Sequence, residues 1–209
     1  VNDILARPVD PQELAARVRT QIKRKRYTDF LRTNLDHSLE MAVTDQLTGL
    51  HNRRYMRVQL ESYVKRANMG GQPVSILLCD IDHFKKVNDI HGHSAGDDVL
   101  REFGRRLREN IRPMDLACRY GGEEFVVIMP ETSQALAQAA GDRLRQIIAE
   151  TPFPIGRGDE LKVTMSGGVS TIIPSEDTIE SLLKRADDAL YRAKSSGRNL
   201  IEVESVGFA

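Results

Sequence analysis

Two regimes of apolar spacing divide the chain. Between Pro11 and about Val43, Leu14, Val18, Ile22, Leu31, Leu35, Leu39 and Met41 recur at mostly helical intervals in a polar stretch. That spacing predicts one long helix, or two in line. The run Lys23-Arg24-Lys25-Arg26 interrupts the stripe and reads as a solvated helix face. A polar helix with so thin a stripe connects domains or pairs with a copy of itself rather than forming a domain of its own. Beyond Thr44 short apolar runs alternate with amphipathic segments to the end of the chain. Strands are expected at 74–80, 115–119, 123–129, 161–173 and 200–203, and helices at 94–110, 132–150 and 178–196. The alternation predicts an α/β (α+β) domain built on one central mixed sheet, with the long helix before it.

Composition narrows the function classes. In 209 residues, 30 Lys and Arg balance 30 Asp and Glu, so neither a basic nucleic-acid surface nor an acidic tail is expected, and any anion must be held locally. Cys79 and Cys118 are far apart in apolar stretches and have no CxxC spacing, which reads as core thiols in a reducing cytoplasm. No apolar run approaches the roughly 20 residues that cross a bilayer, so a cytoplasmic chain without membrane insertion is expected. Because residues 1–7 lack an initiator methionine and look like strand and loop, the chain is expected to begin partway through a longer protein.

The candidate chemistry begins where Ile76-Leu77-Leu78-Cys79 runs into Asp80-Ile81-Asp82, placing two carboxylates at the end of a buried strand. Magnesium prefers hard oxygen ligands and keeps several waters, so one or two carboxylates with substrate phosphates suffice to hold it. Asp80 is the stronger ligand candidate. Asp82 is either a ligand or the cap of the short helix that follows. In Tyr120-Gly121-Gly122-Glu123-Glu124-Phe125, adjacent glycines permit a tight hairpin that a phosphate could approach, and Glu123 opens a strand anchored by 125–129. A Gly-Gly hairpin alone usually only reverses the chain. His83, His91 and His93 are too irregularly spaced for zinc and read as cap and loop residues.

The Gly121–Phe125 turn resembles the signature of the GGDEF family, in its Gly-Gly-Glu-Glu-Phe form. Three further motifs agree: Asp45-Gln46-Leu47-Thr48-Gly49-Leu50-His51-Asn52-Arg53; Asp80-Ile81-Asp82-His83-Phe84-Lys85-Lys86-Val87-Asn88-Asp89 followed by Gly92-His93-Ser94-Ala95-Gly96-Asp97; and Ala186–Lys194 with Gly197-Arg198-Asn199. Together they span about 44–203. The resemblance implies a palm-like nucleotidyl-cyclase fold and a diguanylate cyclase, which condenses two GTP into cyclic di-GMP and two pyrophosphates. Arg7-Pro8-Val9-Asp10-Pro11 and the helix after it resemble the end of a receiver domain leading into a cyclase, which implies receiver domains upstream and a two-component response regulator. The implied organisation is 1–43 as receiver end and coupling stalk, and 44–209 as the cyclase domain.

Residue roles follow from the same resemblance. Asp80, the main-chain carbonyl of Ile81 and Glu123 would hold two magnesium ions, with manganese as the substitute, and Glu124 would contribute more weakly because its side chain should point away from that of Glu123. Glu123 would be the base. Asn88 and Asp97 would read guanine, whose O6 acceptor and N1 and N2 donors suit an amide and a carboxylate. Lys85, Lys194 and Arg198 would meet phosphates, and Phe84, Gly121 and Gly122 would line the substrate. With one GTP per domain, two domains must face each other, so a homodimer is implied. Arg112-Pro113-Met114-Asp115, five residues before Gly121, resembles the family's Arg-x-x-Asp product-inhibition motif, with Arg143 and more weakly Arg66 as further contributors. The bland reading of Arg112 and Asp115 is a salt bridge. Two rivals stand beside the cyclase: a GGDEF-like sensor that has lost catalysis, and a cyclase making a cyclic mononucleotide. One departure is Gly167, where the family strand usually carries an apolar residue.

Overall fold

A computed structural model describes residues 11–204, apart from the side chains of 11, 13, 32–41 and 157. The receiver-like stretch 7–10 and the side chains of Leu35, Leu39 and Met41 therefore lie outside the described residues. By packing the chain divides into two units, 1–42 and 43–209. From residue 11 on, the first is one continuous helix, α1 (Pro11–Val43), whose Leu14, Val18, Ile22, Phe30 and Leu31 are all exposed.

In chain order the second unit comprises β1 (His51–Asn52), α2 (Arg53–Asn68), β2 (Val74–Ile81), α3 (Phe84–His91), α4 (His93–Asn110), β3 (Leu116–Gly121), β4 (Glu124–Pro130), α5 (Gln134–Glu150), β5 (Phe153–Ile155), β6 (Asp159–Leu161), β7 (Met165–Thr171), α6 (Ile179–Ser195) and β8 (Ile201–Val203). Six strands form one sheet in the order β1-β3-β4-β2-β7-β8. The outer pairs β1–β3 and β7–β8 are parallel and the three inner pairs antiparallel. This is the one central mixed sheet of an α/β domain that the spacing predicts, and its three inner pairs make it mostly antiparallel.

β2 sits near the centre because all eight of its residues are buried, as a largely apolar run covered on both faces requires. Its one early polar residue, Ser75, is satisfied by donating to the Thr132 carbonyl at 2.8 Å. Alternate residues feed two cores. Leu77, Cys79, Ile81, Phe125 and Val127 pack with Val99, Phe103, Leu107 and Leu144 of α4 and α5. Ile76, Leu78, Val126 and Ile128 pack with Met56 and Leu60 of α2 and Leu182 and Leu190 of α6.

The structure amends several expectations. The strand expected at 161–173 is two, β6 and β7, and β6 pairs with β5 in a separate two-stranded sheet. Helix α2 had no counterpart in the reading of the sequence, although Met56, Leu60 and Ala67 mark its buried face. Gly167 has a packing reason: a Cβ there would lie 2.7 Å from Leu77 Cδ1 and 2.8 Å from Ile201 Cδ1, so those two side chains fill the space of the missing one. At Gly168 a Cβ would meet the backbone of α6, 2.0 Å from the Ala186 oxygen and 2.4 Å from the Leu190 nitrogen. That close approach draws α6 onto the sheet and carries its last turn toward the end of β2.

Candidate active site

The site is assembled at the C-terminal end of β2. Asp80 is cross-strand partner to Glu124, so both side chains leave the sheet on the face covered by α2 and α6. Lys194, in the last turn of α6, reaches across and pairs with Asp80 at 2.8 Å. Glu123 stands in the turn between β3 and β4, not at the start of a strand as expected: β4 begins at Glu124, and Gly122, with φ of 51°, takes the left-handed conformation that the turn needs. The Ile81 amide donates to the Glu123 carbonyl at 3.3 Å, fastening the turn to β2. Arg198 follows α6 in a loop at φ of 64°, near enough for its charge to act on Asp80.

Charge is crowded here. Burial raises the carboxyl of Asp80 above the usual carboxylate range; Lys194 and Arg198 pull it down and Asp82 pushes it up. Burial also raises Glu123 and Glu124, and the charge of Asp80 raises both further against the pull of Lys194. Anionic oxygens that repel one another around a single nearby lysine suit a hard divalent cation. Among the described residues, no three His, Cys, Asp or Glu side chains converge as a metal cluster. The donor set fits instead a cation that shares its coordination between Asp80, Glu123 and phosphate oxygens.

The guanine candidates meet where α3 packs on α4. Asn88 lies over the backbone of Gly96, next to Asp97, whose carboxylate is 4.0 Å from Arg101. Lys85 and Gly121 are exposed. The Phe84 ring is buried at 6% exposure in the core that α4 helps to form.

Arg112 and Asp115 form a salt bridge, Nη2 to Oδ1 at 2.7 Å and Nε to Oδ2 at 3.1 Å, and Arg112 also donates to Thr132 Oγ1 at 2.6 Å. This is the bland reading of that motif, made by the chain within itself. Asp115 holds the Arg112 guanidinium well above its ordinary pKa. Arg143 donates to the carbonyl of Asn110, the last residue of α4, at 2.8 Å, just before the loop that carries Arg112. Arg66 stacks on Tyr63 at 4.5 Å and lines a cleft of about 190 Å³ with Pro130 and Glu131, next to the Pro130 carbonyl that Arg112 also reaches at 3.4 Å.

The family model for the GGDEF domain of diguanylate cyclases matches residues 42–200. The chain belongs to the GGDEF family. The response regulator PleD of Caulobacter vibrioides is 64% identical over 202 residues, covering 96% of this chain and 44% of PleD. Diguanylate cyclase DgcP of Pseudomonas aeruginosa is 39% identical over 196 residues, covering 92% of this chain and 29% of DgcP. The chain thus spans less than half the length of these two relatives. The solved coiled coil and GGDEF domain of DgcB from Caulobacter crescentus, in complex with c-di-GMP, matches with a TM-score of 0.81 at 30% identity, covering 91% of this chain and 98% of that one.

One residue that supports this GGDEF site, Arg119, escaped the sequence reading. Arg119 donates to the Gly122 carbonyl at 2.8 Å and to Asp45 at 3.3 Å, and Asp45 accepts from Thr48 at 2.7 Å, so the opening motif braces the signature turn. Asp82 does not cap α3. His83 occupies the cap position of α3, and Asp82 accepts from Thr164 Oγ1 and Ser166 Oγ, both at 2.7 Å, and from the Asn199 amide at 3.0 Å. It knots the ends of β2 and β7 to the Arg198 loop. The regular DxD spacing hinted at Asp82, but its partners lie more than 80 residues away and no local pattern names them.

Proposed function

We propose that this chain is a diguanylate cyclase, joining two GTP molecules into cyclic di-GMP with release of two pyrophosphates. What carries the reading is the junction of Asp80, Glu123 and Lys194, where crowded anionic oxygens and a lysine meet at the edge of a rigid sheet. A magnesium or manganese ion held by Asp80, Glu123 and the Ile81 carbonyl would supply Lewis acidity to the phosphates. Glu123 takes the proton of the ribose 3′-hydroxyl as the base. The oxygen attacks the α-phosphorus of the second GTP and pyrophosphate departs, its charge balanced by Lys85, Lys194 and Arg198. Asn88 and Asp97 select guanine. Because each domain holds one GTP, two copies act face to face, with α1 presenting one to the other. Arg112, Asp115, Arg143 and Arg66 bind the product and slow the reaction, which requires the Arg112–Asp115 pair to turn its donors and acceptors toward guanine and phosphate.

Incubating the purified chain with magnesium and GTP tests this. The expected product is cyclic di-GMP, with activity per chain rising with protein concentration and a Glu123→Gln loss of about 10²–10⁴ in rate. 3′,5′-Cyclic GMP would instead mark a mononucleotide cyclase, and GTP binding without turnover a sensor.

A further inference from the structure

We propose that Gly96 determines nucleotide specificity, because the space it leaves empty is the seat that holds the Asn88 amide in its reading position. The inference rests on the proposed role of Asn88 in binding guanine. A Cβ built on Gly96 would stand 2.0 Å from Asn88 Oδ1, 3.0 Å from Asn88 Cγ and 3.2 Å from Phe84 Cζ. Gly96 lies in the first turn of an 18-residue helix and is not among the residues with positive φ, so its backbone makes no demand for glycine. In such a helix glycine costs about 1 kcal/mol relative to alanine. The chain accepts that cost at a buried position where the three nearest atoms belong to Asn88 and Phe84.

Of these two neighbours only Asn88 can give way. Phe84 is buried in the core and closes one side of the seat, whereas the Asn88 amide is the end of a side chain on a half-exposed helix face. A methyl group at position 96 would drive Oδ1 back by more than an ångström, beyond the tolerance of a 2.9 Å hydrogen bond. With Oδ1 turned toward α4, the amide nitrogen faces away from it as a donor. Guanine O6 accepts from such a donor; the 6-amino group of adenine does not. The same glycine therefore positions the amide beside Asp97, which follows it in the helix.

The test measures binding of 3′-deoxyGTP, which lacks the attacking hydroxyl, and of ATP by isothermal titration calorimetry, together with thermal unfolding. The chains compared are wild type, Gly96→Ala, Asn88→Ala and the double variant. Gly96→Ala is expected to unfold at the wild-type temperature or above it and to bind 3′-deoxyGTP about tenfold more weakly or worse, with little change for ATP. Asn88→Ala should show the same loss, and the double variant no further loss, since both act through one amide. Retained guanine affinity in Gly96→Ala beside a loss in Asn88→Ala overturns the inference while leaving the guanine reading intact. Unchanged affinity in Asn88→Ala overturns the guanine reading itself. A lowered unfolding temperature in Gly96→Ala that Asn88→Ala does not restore assigns the glycine to packing against Phe84 and also overturns the inference.

Discussion

Truncating Asp82 to alanine should cost far more stability than its position beside a loop suggests. The carboxylate is 6% exposed and accepts three hydrogen bonds, from Thr164, Ser166 and Asn199. Hydrogen bonds to a charged acceptor contribute about 1.5–3 kcal/mol each, but two of these donors are hydroxyls that can rotate toward new partners. The Asn199 amide cannot rotate, and an orphaned buried donor costs about 1–3 kcal/mol. Loss of the like charge near Asp80 works in the opposite direction. The net expectation for Asp82→Ala is a loss of about 3–4 kcal/mol, a fall of roughly 6–15 °C in Tm for a domain of this size. Asp82→Asn should cost only about 1 kcal/mol: its oxygen can keep Thr164 and Asn199 while its nitrogen donates to Ser166 Oγ. Equilibrium denaturation in urea checks both. Asp82→Ala within 1 kcal/mol or so of wild type, or Asp82→Asn as damaging as Asp82→Ala, would refute the reasoning.

Gly168→Ala should destabilise by about 3 kcal/mol or more, since its methyl meets α6 backbone that cannot step aside, whereas Gly167→Ala meets only the ends of Leu77 and Ile201 and should cost about 1–3 kcal/mol. Chemical denaturation separates the two, and the reverse order would remove the packing explanation. Asp177 sets an acid limit: burial works to raise its carboxyl, but Arg185, the Ile173 amide and Ser181 outweigh burial and hold it below the ordinary range. Its folded pKa is therefore below its unfolded one, so its contribution is full above about pH 4 and is lost as pH falls through the folded value. Asp177→Asn should lower stability at pH 7 by about 3 kcal/mol and flatten the acid limb of a Tm-against-pH curve; an unchanged acid limb would count against the linkage.

The local pattern carried much of this protein. The largely apolar run of β2, the amphipathic helices, the continuous helix at 11–43 and the GGDEF motifs are all encoded by neighbours in sequence, because strand burial, helix periodicity and turn chemistry act over a few residues. For the same reason Asp80, at a strand end, and Glu123, after a Gly-Gly turn, could be singled out from local pattern, whereas Asn88 came only from the resemblance to the GGDEF family. Contacts between distant segments were not legible. Splitting 161–173 into β6 and β7 depends on β5 as a partner, and the face toward which Asp80 and Glu124 project depends on the register of β2 against β4. Lys194 meets Asp80 only because Gly168 admits α6 against β7, and Asp82 becomes a knot between distant segments only when Thr164, Ser166 and Asn199 fold around it. Sequence determined which groups the site could use. Tertiary packing decided which of them face one another, since burial and charge repulsion exist only between segments that the fold has brought together.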